Sequence, residues 1–241
     1  MSHHLKRLTA PVSWHIAKKE EKFITKTCPG PHGAHAMPIA VWLRDKMGLA
    51  GNMKEVKRIL NARQIIVNGR PVTNPKIGLG IFDIISIPRT DKHYRILLDK
   101  VGRLTTIEID AEAAKSRLCR IRDKRYVRGG KIQLNLMYGA NILADNTYKP
   151  KDSIVLTLGE GEERFRIVDH FPFAVGNMAM VIGGKHSGKV GRITEIRVVP
   201  GSVPNRVFFE DAEGATFETI EGYVFMIGRD TPAVAEWGIE A

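Results

Sequence analysis

The sequence predicts a multi-domain α+β protein: a basic extended arm over residues 1–36, a small two-helix and hairpin module over 37–90, a β-rich middle domain over 91–175, and a small C-terminal β-barrel over 176–241. Helical spacing of apolar residues is confined to the stretch between Ile39 and Ala62. Alternating apolar runs bounded by Gly, Pro, Asn and Asp fill most of the chain beyond it. The residues before position 37 show little repeated apolar pattern and do not bury enough surface to fold alone. With 241 residues, 43% of them apolar, the chain is long enough for ordinary cores.

Charge narrows the class of partner. Lys and Arg outnumber Asp and Glu by 37 to 26, a net +11, as expected of a chain that neutralises phosphates, with membrane surfaces and acidic proteins as other possible partners. By segment the net charges are +4, +6, +4 and −3, so the cations lie towards the first half and any nucleic-acid contact of the last segment is local. Apolar stretches are broken by charge or Gly well short of a spanning helix. Near the start there is no apolar h-region or small-residue cleavage pattern, so export is not expected. Cys28 and Cys119 are then expected as free thiols in a reducing compartment.

Taken in order, the arm holds five of the eight histidines and six of the cations. It reads as a segment that orders on a partner, threading between RNA helices through Lys6, Arg7, Trp14, His15, Lys18 and Lys19, with a floppy terminus as the alternative. Cys28, His32 and His35 have ligand chemistry but lack a fourth partner, and a polar turn is preferred to a metal site.

Pro38 stands where a first helical residue belongs, and Ile39, Trp42, Leu43 and Met47 follow at helical spacing until Gly48, giving a short amphipathic helix. Asn52 with Glu55 three positions on resembles a capping pair that opens a second helix to about Ala62. At 100° per residue, Lys54, Lys57, Arg58 and Asn61 share one side, and Val56, Ile59 and Leu60 the other. Ile65 to Val67 and Arg70 to Val72 flank Asn68-Gly69, a strong hairpin signal, and Ile81 to Ile87 adds a third strand. Only Glu55 is acidic between Lys54 and Asp83, so the basic face lacks compensation and suits a polyanion.

Leu43, Gly48-Leu49-Ala50, Val56, Ile59-Leu60, Val67-Asn68-Gly69, Val72 and Pro75 resemble the S-four-type RNA-binding module. The resemblance covers about fifty residues and implies binding of structured RNA. Asn61-Ala62-Arg63-Gln64 departs from it where the module often carries glycine.

Leu104 to Ile109, Ile132 to Leu136, Ile154 to Leu158 and Phe165 to Val168 are the expected strands of the middle domain. Between them Arg120, Arg122, Lys124, Arg125 and Arg128 belong to a dense basic stretch suited to phosphates, and Tyr126 inside it is expected to pack rather than to stack. Further on, Gly183 to Lys189 satisfies G-x-x-x-x-G-K, but Val190 replaces the hydroxyl residue and the following residues alternate like a strand, which disfavours nucleotide hydrolysis. A hairpin is expected instead, Ala179 to Ile182 and Val190 to Val199, presenting Lys185, His186 and Lys189 with Arg192 beside them. Val207 to Phe209, Ala215 to Thr219 and Tyr223 to Ile227 complete five strands, enough for an SH3-like barrel. Gly183, Gly188 and Gly191 with apolar residues at 181, 190, 193 and 196 resemble the KOW motif.

In this order the four segments resemble, over essentially the whole chain, the archaeal and eukaryotic small-subunit ribosomal protein S-four-e family. That resemblance implies a structural role in the small subunit, with rRNA and neighbouring ribosomal proteins as partners, a cytoplasmic location, and neither cofactor, metal, small-molecule substrate nor membrane. An RNA-modifying enzyme subunit and a KOW-type transcription elongation factor are the rivals. The first needs an acid–base pair, and Asp110 with Glu112 reads as solvated charge instead.

Overall fold

The computed structural model describes residues 4–33, 36–159, 161 and 164–229. They divide into two compact units, one of residues 1–97 and 103–114, the other of residues 98–102 and 115–241.

The first unit begins with β1 (Leu5–Lys6), antiparallel to β2 (Phe23–Ile24). This corrects the extended arm. Arg7 and Trp14 are each only 1% exposed, and the Arg7 guanidinium donates to Asp45 at 2.7 Å, to Glu20 at 2.8 Å and to the carbonyl of Ala17. A buried cation is tolerated because two carboxylates and a carbonyl replace its water. One of those carboxylates is 38 residues away and invisible to local pattern.

After β3 (Met37–Pro38), α1 (Ile39–Val41) widens into the turn Trp42–Lys46, where the Met47 N–H donates to Trp42, five residues back, at 3.0 Å. Pro38 precedes the helix as its cap instead of opening it. Nor is the helix amphipathic at its start: Ile39 to Leu43 are all buried. Trp42 is fully enclosed because its indole N–H donates to Thr106 Oγ1 at 2.9 Å and Tyr94 meets its ring edge-on at 5.7 Å.

α2 (Met53–Asn61) starts as its sequence requires. Asn52 Oδ1 accepts the Glu55 N–H at 3.0 Å, and the Glu55 carboxylate accepts the Gly51 N–H at 2.7 Å. Val56 and Leu60 are buried beneath it. β4 (Ile66–Val67) and β5 (Arg70–Pro71) close around Asn68 and Gly69, at φ 49° and 73°, the left-handed pair that such a turn needs. β6 (Gly78–Leu79) pairs with β3. β7 (Ile84–Ile87) then continues into β8 (Lys92–Leu98) and β9 (Leu104–Ile109), in a five-stranded sheet of order β5-β4-β7-β8-β9. The boundary expected at residue 90 therefore falls inside a sheet: Pro88 to Asp91 is a turn between paired strands, not a linker.

In the second unit β10 (Ser116–Tyr126), β11 (Ile132–Leu136), β12 (Asn141–Ala144), β13 (Ser153–Thr157) and β14 (Ile167–Phe171) form an antiparallel sheet of order β12-β11-β10-β13-β14. Its core is Cys119, Ile121, Leu134, Leu136, Ile142, Ile154 and Leu156. A second sheet holds β15 (Met178–Val181), β16 (Val190–Arg197), β17 (Arg206–Glu210), β18 (Thr216–Ile220) and β19 (Val224–Met226), in the order β18-β17-β16-β15-β19. These strands lie within two or three residues of the five expected. The residues after Lys189 form β16, so no helix follows the glycine-rich loop. Neither Cys28 nor Cys119 is in a disulfide, and no helix of the described residues is long and apolar enough to cross a membrane.

Candidate nucleic-acid interface

Two continuous turns of α2 place Lys54, Lys57, Arg58 and Asn61 in solvent on one face, opposite Val56 and Leu60. The helix ends in a two-bond closure: the Arg63 N–H donates to Leu60 at 2.9 Å and the Gln64 N–H to Ile59 at 3.3 Å. That closure needs a left-handed residue, and Arg63 supplies it at φ 53°. The departure from glycine at this position thus keeps the turn and adds a cation. Arg70 is exposed on β5. None of the side chains of Lys54, Lys57, Arg58, Arg63 and Arg70 has an ion pair, hydrogen bond or ring contact among the described residues. Like charges left unpaired on one face repel, and a polyanion relieves that repulsion.

The arm contributes less than expected. Lys6, His15 and Lys19 are exposed, with His15 at φ 47°, whereas Arg7 and Trp14 are buried and removed from the candidate set. Lys18 is half-buried and its ammonium donates to the Ala10 carbonyl. His32 lies against Asp83, Nε2 to Oδ2 2.8 Å, with both side chains under 5% exposed. Asp83 also accepts from the Gly80 N–H at 2.9 Å and from Asn68 Nδ2 at 2.8 Å. The His32 ring packs so closely over Gly80 that any Cβ there would overlap it. His32 thus serves a buried polar turn; His35 lies outside the described residues.

On β10 the basic stretch splits. Arg120 is 6% exposed and donates to the carbonyls of Gly222 at 2.7 Å and Glu221 at 3.2 Å. Burial pushes its pKa below the ordinary arginine value, partly offset by Tyr138 and Glu221. Lys124 is saturated by three acceptors, Asn146 Oδ1 at 2.6 Å and the carbonyls of Tyr148 at 2.9 Å and Asn146 at 3.1 Å. Both are structural ties, a correction that follows from carbonyls 22 to 102 residues away. Arg122, Arg125 and Arg128 remain exposed. Asp123 lies 3.2 Å from Arg122 and 3.9 Å from Arg125. Its carboxyl is held below the usual range by the Asn135 hydrogen bond first, and by Arg122 and Arg125. Tyr126, expected to be packed, is 74% exposed. The signal for it lay in the Gly129-Gly130 pair that comes next: this is a hairpin end, where the core has run out.

In the loop between β15 and β16, Lys185 is exposed, His186 packs on Phe217 at 5.1 Å and Lys189 lies over the same ring at 5.3 Å. Arg192 is exposed on β16. The α2 cations, the arm cations and Arg192 lie on separate elements.

Comparisons with known proteins agree over the chain. A model described as Ribosomal family S4e matches residues 90–163, and one described as RS4NT (NUC023) domain matches residues 1–35. The small ribosomal subunit protein eS4 of Methanospirillum hungatei is 60% identical over 241 residues, all of both chains. That of Methanocella arvoryzae is 43% identical, covering 96% of each. The crystal structure of the 30S ribosomal protein S4e from Thermoplasma acidophilum superposes with a TM-score of 0.66 at 27% identity, covering 80% of this chain and 95% of that one.

Proposed function

The chain belongs to the ribosomal S4e family, and from that premise we propose that it is a structural constituent of the small ribosomal subunit that binds rRNA electrostatically and has no catalytic role. The observation that carries the RNA reading is the set of exposed cations without side-chain partners among the described residues of the first unit: Lys54, Lys57 and Arg58 on α2, Arg63 at its closure and Arg70 on the hairpin. Their fixed spacing on a helix suits the phosphates of structured RNA, with little reading of bases. Lys6, His15, Lys19, Arg122, Arg125, Arg128, Lys185 and Arg192 add further phosphate contacts, and neighbouring ribosomal proteins complete the surroundings. The β15–β19 sheet is read as the SH3-like barrel of a KOW-type domain.

The test is the salt dependence of binding to transcribed small-subunit rRNA. Replacing Lys54, Lys57 and Arg58 together by alanine is expected to weaken binding at every sequence and to flatten the plot of log affinity against log salt by about 2 to 3, at roughly 0.7–0.9 for each phosphate no longer neutralised. An unchanged slope would remove α2 from the interface. Sedimentation of a lysate through a sucrose gradient checks the wider reading: co-migration with the small subunit at moderate salt is expected, and recovery only in light fractions contradicts it.

A further inference from the structure

We propose that the β10–β11 hairpin is a stacking finger, in which Tyr126 takes the face of an unpaired rRNA base while Arg125, Arg128 and Lys131 hold the phosphates beside it. The proposal rests on the electrostatic RNA reading and deepens it from charge to base contact at one residue.

Strand register puts the ring where nothing of the protein covers it. Lys124 faces Leu134, and Leu134 faces Ile142; two residues on, Tyr126 faces Ile132, and Ile132 faces Ala144, so both rows share one side of the sheet. In the first row Leu134 and Ile142 are buried; in the second Ile132 and Ala144 still pack on the core, but Tyr126 is left 74% exposed. A tyrosine ring is a large apolar surface to leave in water at the last paired position of a strand. No hydrogen bond to its hydroxyl and no ring contact is made among the described residues.

The tip beyond it is built to protrude. The Val127 N–H donates to Lys131 at 2.9 Å, and Gly129 and Gly130 turn the chain at φ 85° and 70°. A Cβ at either glycine would meet nothing within 4 Å. Asp123 is the only acidic residue between Lys115 and Asp145. It engages Arg122 and Arg125, whose side chains stay 70% and 73% exposed, while the side chains of Arg128 and Lys131 have no partner among the described residues. Beside the tip, Ile132, Lys131, Asp145, Asn146 and the 60% exposed Leu143 border an open hollow of about 440 Å³, whose one carboxylate, Asp145, leaves the phosphates to the arginine side of the tip. An uncovered aromatic face among cations, next to a mixed hollow with an amide at its rim, fits an unpaired nucleotide: stacking on the base, charge on the phosphates, an amide for the base edge. Duplex RNA offers no free base face to such a ring.

The experiment uses the full chain and transcribed small-subunit rRNA, with base-modifying chemical footprinting and affinity measured across salt. Tyr126→Ala is expected to weaken binding roughly 5- to 100-fold with the salt slope unchanged, and to expose one or two unpaired bases while other protections persist. Tyr126→Phe should bind within about twofold of wild type. Arg125→Ala with Arg128→Ala should lower the slope instead. If Tyr126→Ala keeps the wild-type footprint and affinity, stacking is refuted and the electrostatic reading stands. Should Tyr126→Ala bind RNA normally yet fail to enter small subunits, the ring packs on a neighbouring protein and the proposal is overturned in that direction. Absence of any wild-type footprint overturns both it and the RNA reading on which it rests.

Discussion

Arg63 occupies a left-handed backbone conformation that costs an L-residue roughly 1–2 kcal/mol. Glycine would serve the helix closure without that cost, so the side chain is retained at the expense of stability, which is what a cation aimed at a ligand would require. Arg63→Gly should therefore raise resistance to urea by about 1 kcal/mol while lowering rRNA affinity and reducing the salt slope by about one; a variant that gains stability with no loss of binding would return Arg63 to the solvated surface. Exposed residues of this kind were legible from sequence, because α2 fixes its faces by a 100° step and Asn52 fixes where it starts. Cations taken up by the protein's own acceptors were not. Arg7, Lys124 and Arg120 read as phosphate contacts until their acceptors, lying from 10 to 102 residues away, are brought to them.

At the level of elements, two turns carry testable consequences. Gly188 closes the loop before β16 with φ 87°, and a Cβ there would overlap the Asp99 carbonyl oxygen. Gly188→Ala meets both a forbidden backbone region and an immovable main chain, so a loss of several kcal/mol in equilibrium unfolding is expected, well beyond the effect of Gly130→Ala, which meets no atom. In the β10–β11 hairpin the ionised Asp123 accepts from Asn135 and lies beside Arg122 and Arg125. Because its folded pKa lies below the ordinary 3.8, its contribution is present above about pH 4 and is lost as pH falls through the folded value. Protection factors of the amides across residues 124–135, with intrinsic exchange divided out, should fall on acidification from pH 5 towards pH 2, and Asp123→Asn should remove that dependence. β11, β13 and the strands of the last sheet were readable from alternation and turn residues, whereas β10 and β12 were not, β10 because its dense cations read as a basic stretch. The edge of the first sheet was not, since β8 and β9 alternate as any strand does and nothing local says which sheet they join.

On the scale of the whole molecule, cations are distributed over both units while the last segment is net acidic. The first residues are structural as well as electrostatic: deleting residues 1–36 removes Trp14 from the core and strands Asp45 without Arg7. The expected outcome is a drop in thermal midpoint of the truncated chain at high salt, where RNA plays no part, larger than that of Lys6→Ala with Lys19→Ala. An unshifted midpoint would mean that the arm is held by its RNA alone. The Arg7–Asp45 pair also sets an order of events during synthesis. Arg7 is made 38 residues before Asp45, and at about 5–20 residues per second it waits roughly 2 to 8 seconds for that carboxylate. Through that interval the newborn N-terminus is a loose polycation beside the RNA-rich machine producing it, and only completion of the helix that comes after takes its arginine out of circulation.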